Sequence, residues 1–180
     1  MQPIKQLSDV LRTLADRDHC VFTPSDLAAA VPGCGQLAVL LSRAVKAGVL
    51  RRVCRGIYLY PVADFLAGNL LFHAAARLRA DAFNYISLET VLSDAGVISL
   101  VPMNWITLLS SGRSHVVDCG DHGHIEFIHT AQRPEDVGGE LAYDVERHLW
   151  RASVKQAVRD MKATRRSLEL VDEEVLRELV

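Results

Sequence analysis

The N-terminal part of the chain carries apolar residues at helical spacing. Ile4, Leu7, Leu11 and Leu14 follow one another at intervals of three or four residues, so they share one face of a helix. We expect this first helix to end near Arg17 and to bury that face in a core.

A short second helix is indicated by its start and stop signals. Thr23 precedes Pro24, and Asp26 stands where its carboxylate can reach back to the N–H of the threonine. The helix is predicted to begin at Pro24 and to stop before Pro32.

A third helix is predicted over residues 36–47, after a turn at residues 33–35 and before Gly48 as a left-handed end. Its apolar residues gather on one side of the helical wheel. The opposite side is short, polar and basic, and it holds Val39, Ser42, Arg43 and Lys46.

A β-hairpin is predicted after the third helix. Residues 49–53 and 57–60 are rich in β-forming side chains, and residues 54–56 supply the turn between them. Three helices followed by a hairpin predict a winged helix-turn-helix over residues 1–62, with the hairpin as the wing.

Charge is distributed unevenly. Residues 1–60 hold eight Lys or Arg against four Asp or Glu, whereas the other 120 residues hold twelve against eighteen. Between Asp26 and Asp64 there is no acid, and the five basic residues in this interval lie on the third helix and the hairpin. Such a surface attracts phosphates, because neutralising them releases counterions.

The predicted contacts to double-stranded DNA lie on these two elements. Gln36 or Arg43 can reach base edges from the major groove, and Val39 can contact a thymine methyl group. The alternative is a solvated helix face in a fold that binds protein. The full predicted set is Gln36, Val39, Ser42, Arg43, Lys46, Arg51, Arg52 and Arg55.

The rest of the chain, residues 63–180, predicts a small mixed α/β domain. Helices are expected over residues 66–79 and 88–95, the second with Ser87 as its N-cap. The predicted fold class is therefore α+β, with a winged helix-turn-helix followed by this domain.

Three β-rich segments stand in the middle of the second domain, at residues 105–110, 113–119 and 124–130. Short polar turns separate them, so we expect an antiparallel meander. Residues 131–146 contain the helix and strand breakers Pro134, Gly138 and Gly139, and they predict an exposed connection.

A long helix with a basic stripe is predicted over residues 147–166. The stripe could contact nucleic acid, meet an acidic partner surface, or pair with solvent and the acidic residues near the C-terminus. Its members are Arg151, Lys155, Arg159, Lys162 and Arg166.

A group of Cys and His residues raises the possibility of a zinc site. Cys119 and His122 have a spacing that zinc tolerates, but alternate strand residues point to opposite faces, so a structural turn is favoured. His124 or His129 could complete such a site, and His115 lies in the same cluster of the sequence.

An alternative is a metal-dependent nuclease built on Asp118, Asp121 and Glu126, but no lysine follows Glu126 to polarise an attacking water. No hydrolase or nucleotide-binding motif occurs either. We therefore expect neither an enzyme nor a cofactor.

Composition indicates the class of protein and its cellular location. Hydrophobic residues at 49% and charged residues at 23% are typical of a globular protein, and no apolar run approaches the roughly 20 residues of a membrane span. The first residues lack the pattern of a secretion signal, and the four cysteines are widely spaced. We expect a cytoplasmic protein with free thiols and no membrane contact.

Taken together, the sequence resembles the AbiEi-like antitoxins of type IV, abortive-infection toxin–antitoxin systems. The resemblance extends over residues 1 to about 165. The segments that carry it are VFTPSDL at 21–27, LSR at 41–43, KAGVLRR at 46–52, RGIY at 55–58 and YISLETVL at 85–92.

This resemblance implies a winged helix-turn-helix that represses its own operon by binding repeats in the promoter. It implies a C-terminal domain that counteracts a nucleotidyltransferase toxin without a stable complex, and a positive surface that extends onto that domain. A monomer in solution that binds DNA cooperatively fits this picture. A plain transcriptional regulator with a sensing or dimerisation domain is the alternative.

Overall fold

The structure is a computed structural model that describes residues 3–63, 65–99 and 104–180. The chain divides into two compact units, Met1–Leu78 and Arg79–Val180. None of the helices in the described part of the chain has the length and apolar content that a membrane span requires.

Unit 1 combines helices with a small antiparallel sheet. A 3₁₀ turn at Ala67–Asn69 leads into its last helix. Its elements are α1 (Pro3–Leu14), β1 (Val21–Phe22), α2 (Pro24–Ala30), α3 (Leu37–Lys46), β2 (Arg51–Cys54), β3 (Ile57–Leu59) and α4 (Leu70–Leu78).

The first three helices share one hydrophobic core. The predicted apolar face of α1 is confirmed at Leu7 and Leu11, which are 0% and 1% exposed, and Ile4 is partly buried beside them. The fourth predicted member, Leu14, is 59% exposed. The helix ends at Leu14, a turn earlier than predicted. Leu7 and Leu11 pack with buried residues of α2 and α3 and of the segments that follow, namely Leu27, Val31, Leu40, Leu41, Ala44, Leu50 and Tyr60.

The predicted start of α2 is confirmed. Thr23 accepts a hydrogen bond from the N–H of Asp26, and the Asp26 carboxylate accepts one from the N–H of Thr23 at 2.7 Å. This reciprocal pair satisfies N–H groups that have no partner inside the helix. Gly48, just beyond α3, has φ +72°, so the predicted left-handed end is also confirmed.

The sheet of unit 1 has the order β1-β3-β2, with both pairings antiparallel. The predicted hairpin is present as β2 and β3, and Gly56 turns it with φ +82°. Strand β1 was not predicted, because two residues carry too little pattern to identify a strand.

Helix α4 packs against β1 and β3 and therefore belongs to unit 1. Arg77 on this helix donates to the Asp26 carboxylate. The compact unit thus continues to Leu78, whereas the sequence placed the end of the DNA-binding domain at residue 62. That functional boundary stays a prediction.

Unit 2 is built on a larger, mixed sheet. A 3₁₀ turn at Gly120–His122 and another at Gly138–Glu140 join some of its elements. The labelled elements are β4 (Asn84–Ile86), α5 (Glu89–Asp94), β5 (Trp105–Ser110), β6 (His115–Asp118), β7 (His124–His129), α6 (Pro134–Val137), β8 (Leu141–Asp144), β9 (Leu149–Ala152), α7 (Val154–Ala163) and α8 (Glu173–Leu179).

The predicted antiparallel meander is wrong, although its three strands exist. The sheet order is β6-β7-β5-β4-β9-β8, and β5 pairs with β7 in parallel. Ile125 and Phe127 of β7 are 0% and 1% exposed, which suits an inner strand. Three of the four β6 residues are exposed, so this strand occupies the edge.

The predicted long helix over residues 147–166 is also wrong. His148 has φ +57°, which a right-handed helix does not accommodate, and residues 149–152 form β9 instead. Helix α7 begins only after Ser153, whose hydroxyl accepts from the N–H of Gln156 at 3.1 Å. The expected connection over residues 131–146 contains α6 and the edge strand β8.

Ser87 does not cap α5 as predicted. Leu88 occupies that position with φ +59°, and it offers no side-chain hydrogen bond to the helix. The Ser87 hydroxyl instead donates to the buried Asp160 carboxylate of α7 at 2.6 Å. A tertiary contact thus overrides the local capping signal.

Candidate nucleic-acid interface

The outer face of α3 is exposed as predicted. Leu40, Leu41 and Ala44 are buried, whereas every predicted contact on this helix reaches solvent. Val39 is the apolar member, with 42% of its surface exposed. The exposed set on and just before α3 is Gln36, Val39, Ser42, Arg43 and Lys46.

The hairpin adds three exposed arginines, Arg51, Arg52 and Arg55. The register of β2 against β3 shifts between Arg52 and Cys54, and this irregularity separates the two exposed arginines of β2 from the buried Val53 and Cys54. The Arg52 Nε donates to the carbonyl of Cys54 at 3.4 Å, which leaves its terminal nitrogens available.

The basic side chains of α3 and the hairpin have no acidic neighbour among the described residues. Within residues 3–63, 65–99 and 104–180, no carboxylate lies within 4.0 Å of the cations of α3 and the hairpin. Two of the three other arginines of unit 1 behave differently, since Arg12 pairs with Asp9 and Arg77 pairs with Asp26, whereas Arg17 also has no carboxylate within 4.0 Å among the described residues. The cations of α3 and the hairpin therefore have no internal counterion among the described residues and are suited to an external polyanion.

Asp26 fastens the helix that precedes this surface. Burial alone would raise the pKa of its carboxyl, but hydrogen bonds from Arg77 and Thr23 outweigh burial and hold the pKa below its ordinary value. The ionised carboxylate thus joins the start of α2 to α4.

A groove runs between the start of α1 and the exposed face of α3. Its volume is about 390 Å³, and three of the predicted contacts lie along it. No sequence pattern indicated the groove, because it depends on how α1 crosses α3. Its lining residues are Pro3, Ile4, Cys34, Gln36, Val39, Leu40 and Arg43.

The cations predicted as a second basic surface do not form one helical stripe. Arg151 lies on β9 and bonds to Asp94 at 2.9 Å, and Arg166 follows α7 and bonds to Glu89 and Glu126. Lys155, Arg159 and Lys162 remain exposed on α7. The first two lie 3.6 and 3.8 Å from Glu140.

The residues considered for a zinc site lie on β6, β7 and the turn between them. Cys119 is 1% exposed, and His124 stacks on Trp105 with ring centroids 4.7 Å apart. His129 is placed by a contact of 3.0 Å between its Nδ1 and the carbonyl of Gly112. Over the described ranges, no group of three His, Cys, Asp or Glu side chains has the geometry to hold a metal. His115 and His122, the other two histidines considered for the zinc site, likewise belong to no such group.

The nuclease alternative receives no support from the carboxylates proposed for it. Glu126 accepts hydrogen bonds from Trp105 Nε1 at 3.0 Å and from Arg166, so both of its oxygens are engaged by the protein. Asp118 accepts from the N–H of Gly120 at 2.8 Å, and Asp121 lies in the following turn. The structure does not bring these carboxylates together as a metal-binding group.

Unit 1 is consistent with a helix-turn-helix module, in which one capped, packed helix is followed by a second that presents a polar face. Residues 9–61 match the model of a family described as a transcriptional regulator, AbiEi antitoxin. This match confirms the family resemblance over those residues, and a family of transcriptional regulators implies DNA as a binding partner. No curated protein matches the chain.

Proposed function

We propose that the chain is a winged helix-turn-helix regulator that binds double-stranded DNA through α3 and the β2–β3 hairpin. The observation that carries this proposal is the set of exposed cations without a carboxylate within 4.0 Å in the described part of unit 1. The family match to residues 9–61 supports it, because that family is one of transcriptional regulators.

Each side chain has a role that its chemistry suggests. Gln36 and Arg43 read base edges in the major groove, where their donors match adenine or guanine, and Val39 contacts a thymine methyl group. Ser42 and Lys46 bind phosphates beside the reading positions. The hairpin arginines Arg51, Arg52 and Arg55 hold the wing on the backbone or in the minor groove.

The test is a titration of the promoter DNA of the chain's own operon, followed by fluorescence anisotropy. We expect affinity to fall steeply with salt, with a slope of about −0.9 for each phosphate neutralised. The double substitution Arg43→Ala with Arg52→Ala should weaken binding by about a hundredfold or more.

The matched control removes two positive charges elsewhere, by Arg12→Ala with Arg177→Ala. Both side chains already pair with a carboxylate, Asp9 and Glu173 respectively, so this variant should bind almost as the parent does. Equal losses in the two variants, or salt-insensitive binding, would refute the proposed interface.

We further propose that the chain represses its own operon and counteracts a nucleotidyltransferase toxin without being an enzyme itself. The family matched by residues 9–61 is one of antitoxins, which supports this role. The protein would act in the cytoplasm and without a stable toxin complex. Co-expression with the neighbouring gene product tests it, since an antitoxin restores growth and a plain transcriptional regulator does not.

The exposed cations of α7 extend the proposal. Lys155 and Arg159 share the single carboxylate of Glu140, and Lys162 has no carboxylate within 4.0 Å among the described residues, so these three cations keep a net positive charge. We propose that they form the remaining part of the second basic surface and contribute phosphate contacts. Arg151 and Arg166 hold ion pairs within unit 2, so we assign them a structural role.

A further inference from the structure

Unit 2 contains a cleft that the proposed function does not use. Its volume is about 420 Å³, and it lies between the end of β7, the segment that follows it and the second half of α7. The polar and charged side chains of its lining are His129, Thr130, Gln132, Asp136, Asp160 and Thr164.

Asp160 is the most unusual member of this lining, because it is a carboxylate with 0% exposure. It accepts hydrogen bonds from Ser87 at 2.6 Å, from Gln156 at 2.8 Å and, at the longer distance of 3.3 Å, from the Tyr85 hydroxyl. All three donors are neutral. Burial raises the pKa of this carboxyl, and the surrounding hydrogen bonds lower it again only in part.

Asp160 also lacks a counter-cation. Over the described ranges, no Lys, Arg or His nitrogen lies within 4.0 Å of its carboxylate. Buried charges in proteins are normally paired, because an unpaired charge loses its hydration without compensation. A site with a buried carboxylate and an adjacent cleft therefore favours a cation supplied from outside.

Gln132 lines the cleft next to Asp160. Its amide donates to Asp160 at 3.4 Å, and its carbonyl accepts from Tyr85 at 3.3 Å and from Gln156 at 3.4 Å. All three distances exceed the usual range for strong hydrogen bonds. Gln132 is thus held weakly, and a better donor can replace its amide at the carboxylate.

The remaining lining favours a positive ligand. It holds a second carboxylate, Asp136, and no lysine or arginine. Its histidine, His129, is engaged through Nδ1 with the carbonyl of Gly112 at 3.0 Å. Arg133 bonds to Asp136 at 3.3 Å and occupies it, which leaves Asp160 as the carboxylate without a cation. Thr130 and Thr164 offer hydroxyl oxygens to further N–H groups of a ligand.

We propose that this cleft binds a small organic cation with an ammonium or guanidinium head group. The head group displaces the Gln132 amide and donates to Asp160, while the rest of the ligand lies in the cleft beside Thr130 and Ala163. Unit 2 is then a ligand-binding domain, which is a property beyond the DNA-binding and antitoxin roles.

The test uses the full chain, labelled with ¹⁵N, and titrates it with 1,4-diaminobutane. We expect saturable shifts of the amide signals in residues 129–136 and 160–164. The neutral 1,4-butanediol has the same chain length without the charge, so it should produce no saturable shift. Absence of saturation with the diamine, or saturation at other residues alone, overturns the proposal.

The variant Asp160→Asn removes the charge and keeps the shape of the side chain. We expect it to weaken diamine binding by about tenfold or more, which is the usual contribution of a hydrogen bond to a charged group. The matched control is Asp121→Asn, an exposed acid in the turn before β7, which should bind the diamine unchanged.

Gln132→Ala keeps the proposal testable if the Asp160 variant does not fold. Removing the weakly held amide opens the path to the carboxylate, so the diamine should bind at least as tightly as in the parent chain. A tenfold loss in this variant, or unchanged binding in a folded Asp160→Asn protein, contradicts the proposed site.

Discussion

Asp26 shows how one side chain serves several elements. It caps α2 through Thr23 and accepts a hydrogen bond from Arg77 of α4. The capping half of this arrangement was readable from the sequence, because Thr23 and Asp26 stand three residues apart. The contact with Arg77 was not, since nothing local relates residues 26 and 77.

We predict that Asp26→Ala lowers the free energy of unfolding by about 1–2 kcal/mol at neutral pH, because α2 loses the Asp26 half of its capping box and Arg77 loses a charged hydrogen-bond partner. The folded-state pKa lies below the ordinary value of 3.8, so this stabilisation is present above that value and is lost as the pH falls through the folded-state pKa. Urea denaturation followed by circular dichroism at several pH values measures both effects.

The control for this prediction is Asp9→Ala, which removes an exposed ion pair with Arg12. Exposed pairs contribute at most about 1 kcal/mol, so the loss should be smaller. If the two variants lose equal stability at every pH, then the cap and the Arg77 contact do not stabilise unit 1 as described.

Gly123 is constrained more severely than the other glycines that the structure describes. Its φ is +109°, and a Cβ there would overlap the carbonyl oxygen of Asn104. That oxygen accepts the N–H of His124 at 2.8 Å, so it cannot withdraw without breaking the start of the β5–β7 pairing.

We predict that Gly123→Ala destabilises unit 2 by about 3 kcal/mol or more, because strain and a backbone clash act together. Both tryptophans, Trp105 and Trp150, lie in unit 2, so their fluorescence follows its denaturation. Gly139→Ala is the matched control, since a Cβ there meets nothing within 4 Å. A stable Gly123→Ala protein would disprove the close approach.

At the level of elements, the sequence predicted correctly those features that depend on residues close together in the chain. The α2 cap, the polar face of α3 and the β2–β3 hairpin each depend on neighbouring residues. The parallel β5–β7 pairing could not be read in this way, because strand order depends on contacts across the sheet.

Strand β9 was predicted as part of a helix for a different reason. Leu149 is buried and Trp150 is exposed in the strand, but this alternation over so few residues also fits the border of an amphipathic helix. Short segments of this kind are ambiguous between helix and strand. The pairing of Tyr85 with Trp150 resolves the ambiguity in favour of a strand.

Helix α7 provides a prediction at this scale. Substituting Lys155, Arg159 and Lys162 together by alanine should weaken promoter binding. The magnitude of the salt slope should fall by about 0.9 for each phosphate contact that is lost, and up to three contacts are removed. Anisotropy titrations at several salt concentrations measure the slope. An unchanged slope would remove α7 from the proposed interface.

At the level of the molecule, the extent of unit 1 can be tested by truncation. Its first three helices share one core, and α4 packs on β1 and β3. We predict that residues 1–78 alone give a cooperative thermal transition and bind promoter DNA. Circular dichroism and anisotropy measure the two properties.

The comparison fragment is residues 1–62, which lacks α4 and with it Arg77. It should melt at a lower temperature than residues 1–78, because β1 and β3 lose their packing partner and Asp26 loses its cation. If both fragments melt alike, the functional boundary predicted at residue 62 is also the stability boundary.

The pairing of β4 with both β5 and β9 has a consequence for synthesis of the protein. The ribosome completes unit 1 once Leu78 has emerged, whereas β4 gains its second neighbour only when residues near 150 are available. Until then the nascent chain presents an open strand edge, which invites association with other chains. A premature stop codon between Leu78 and residue 150 would therefore release a truncated protein that contains a complete unit 1. Under the proposed function this unit could still occupy the promoter, while the incomplete sheet of unit 2 attached to it would be prone to aggregation.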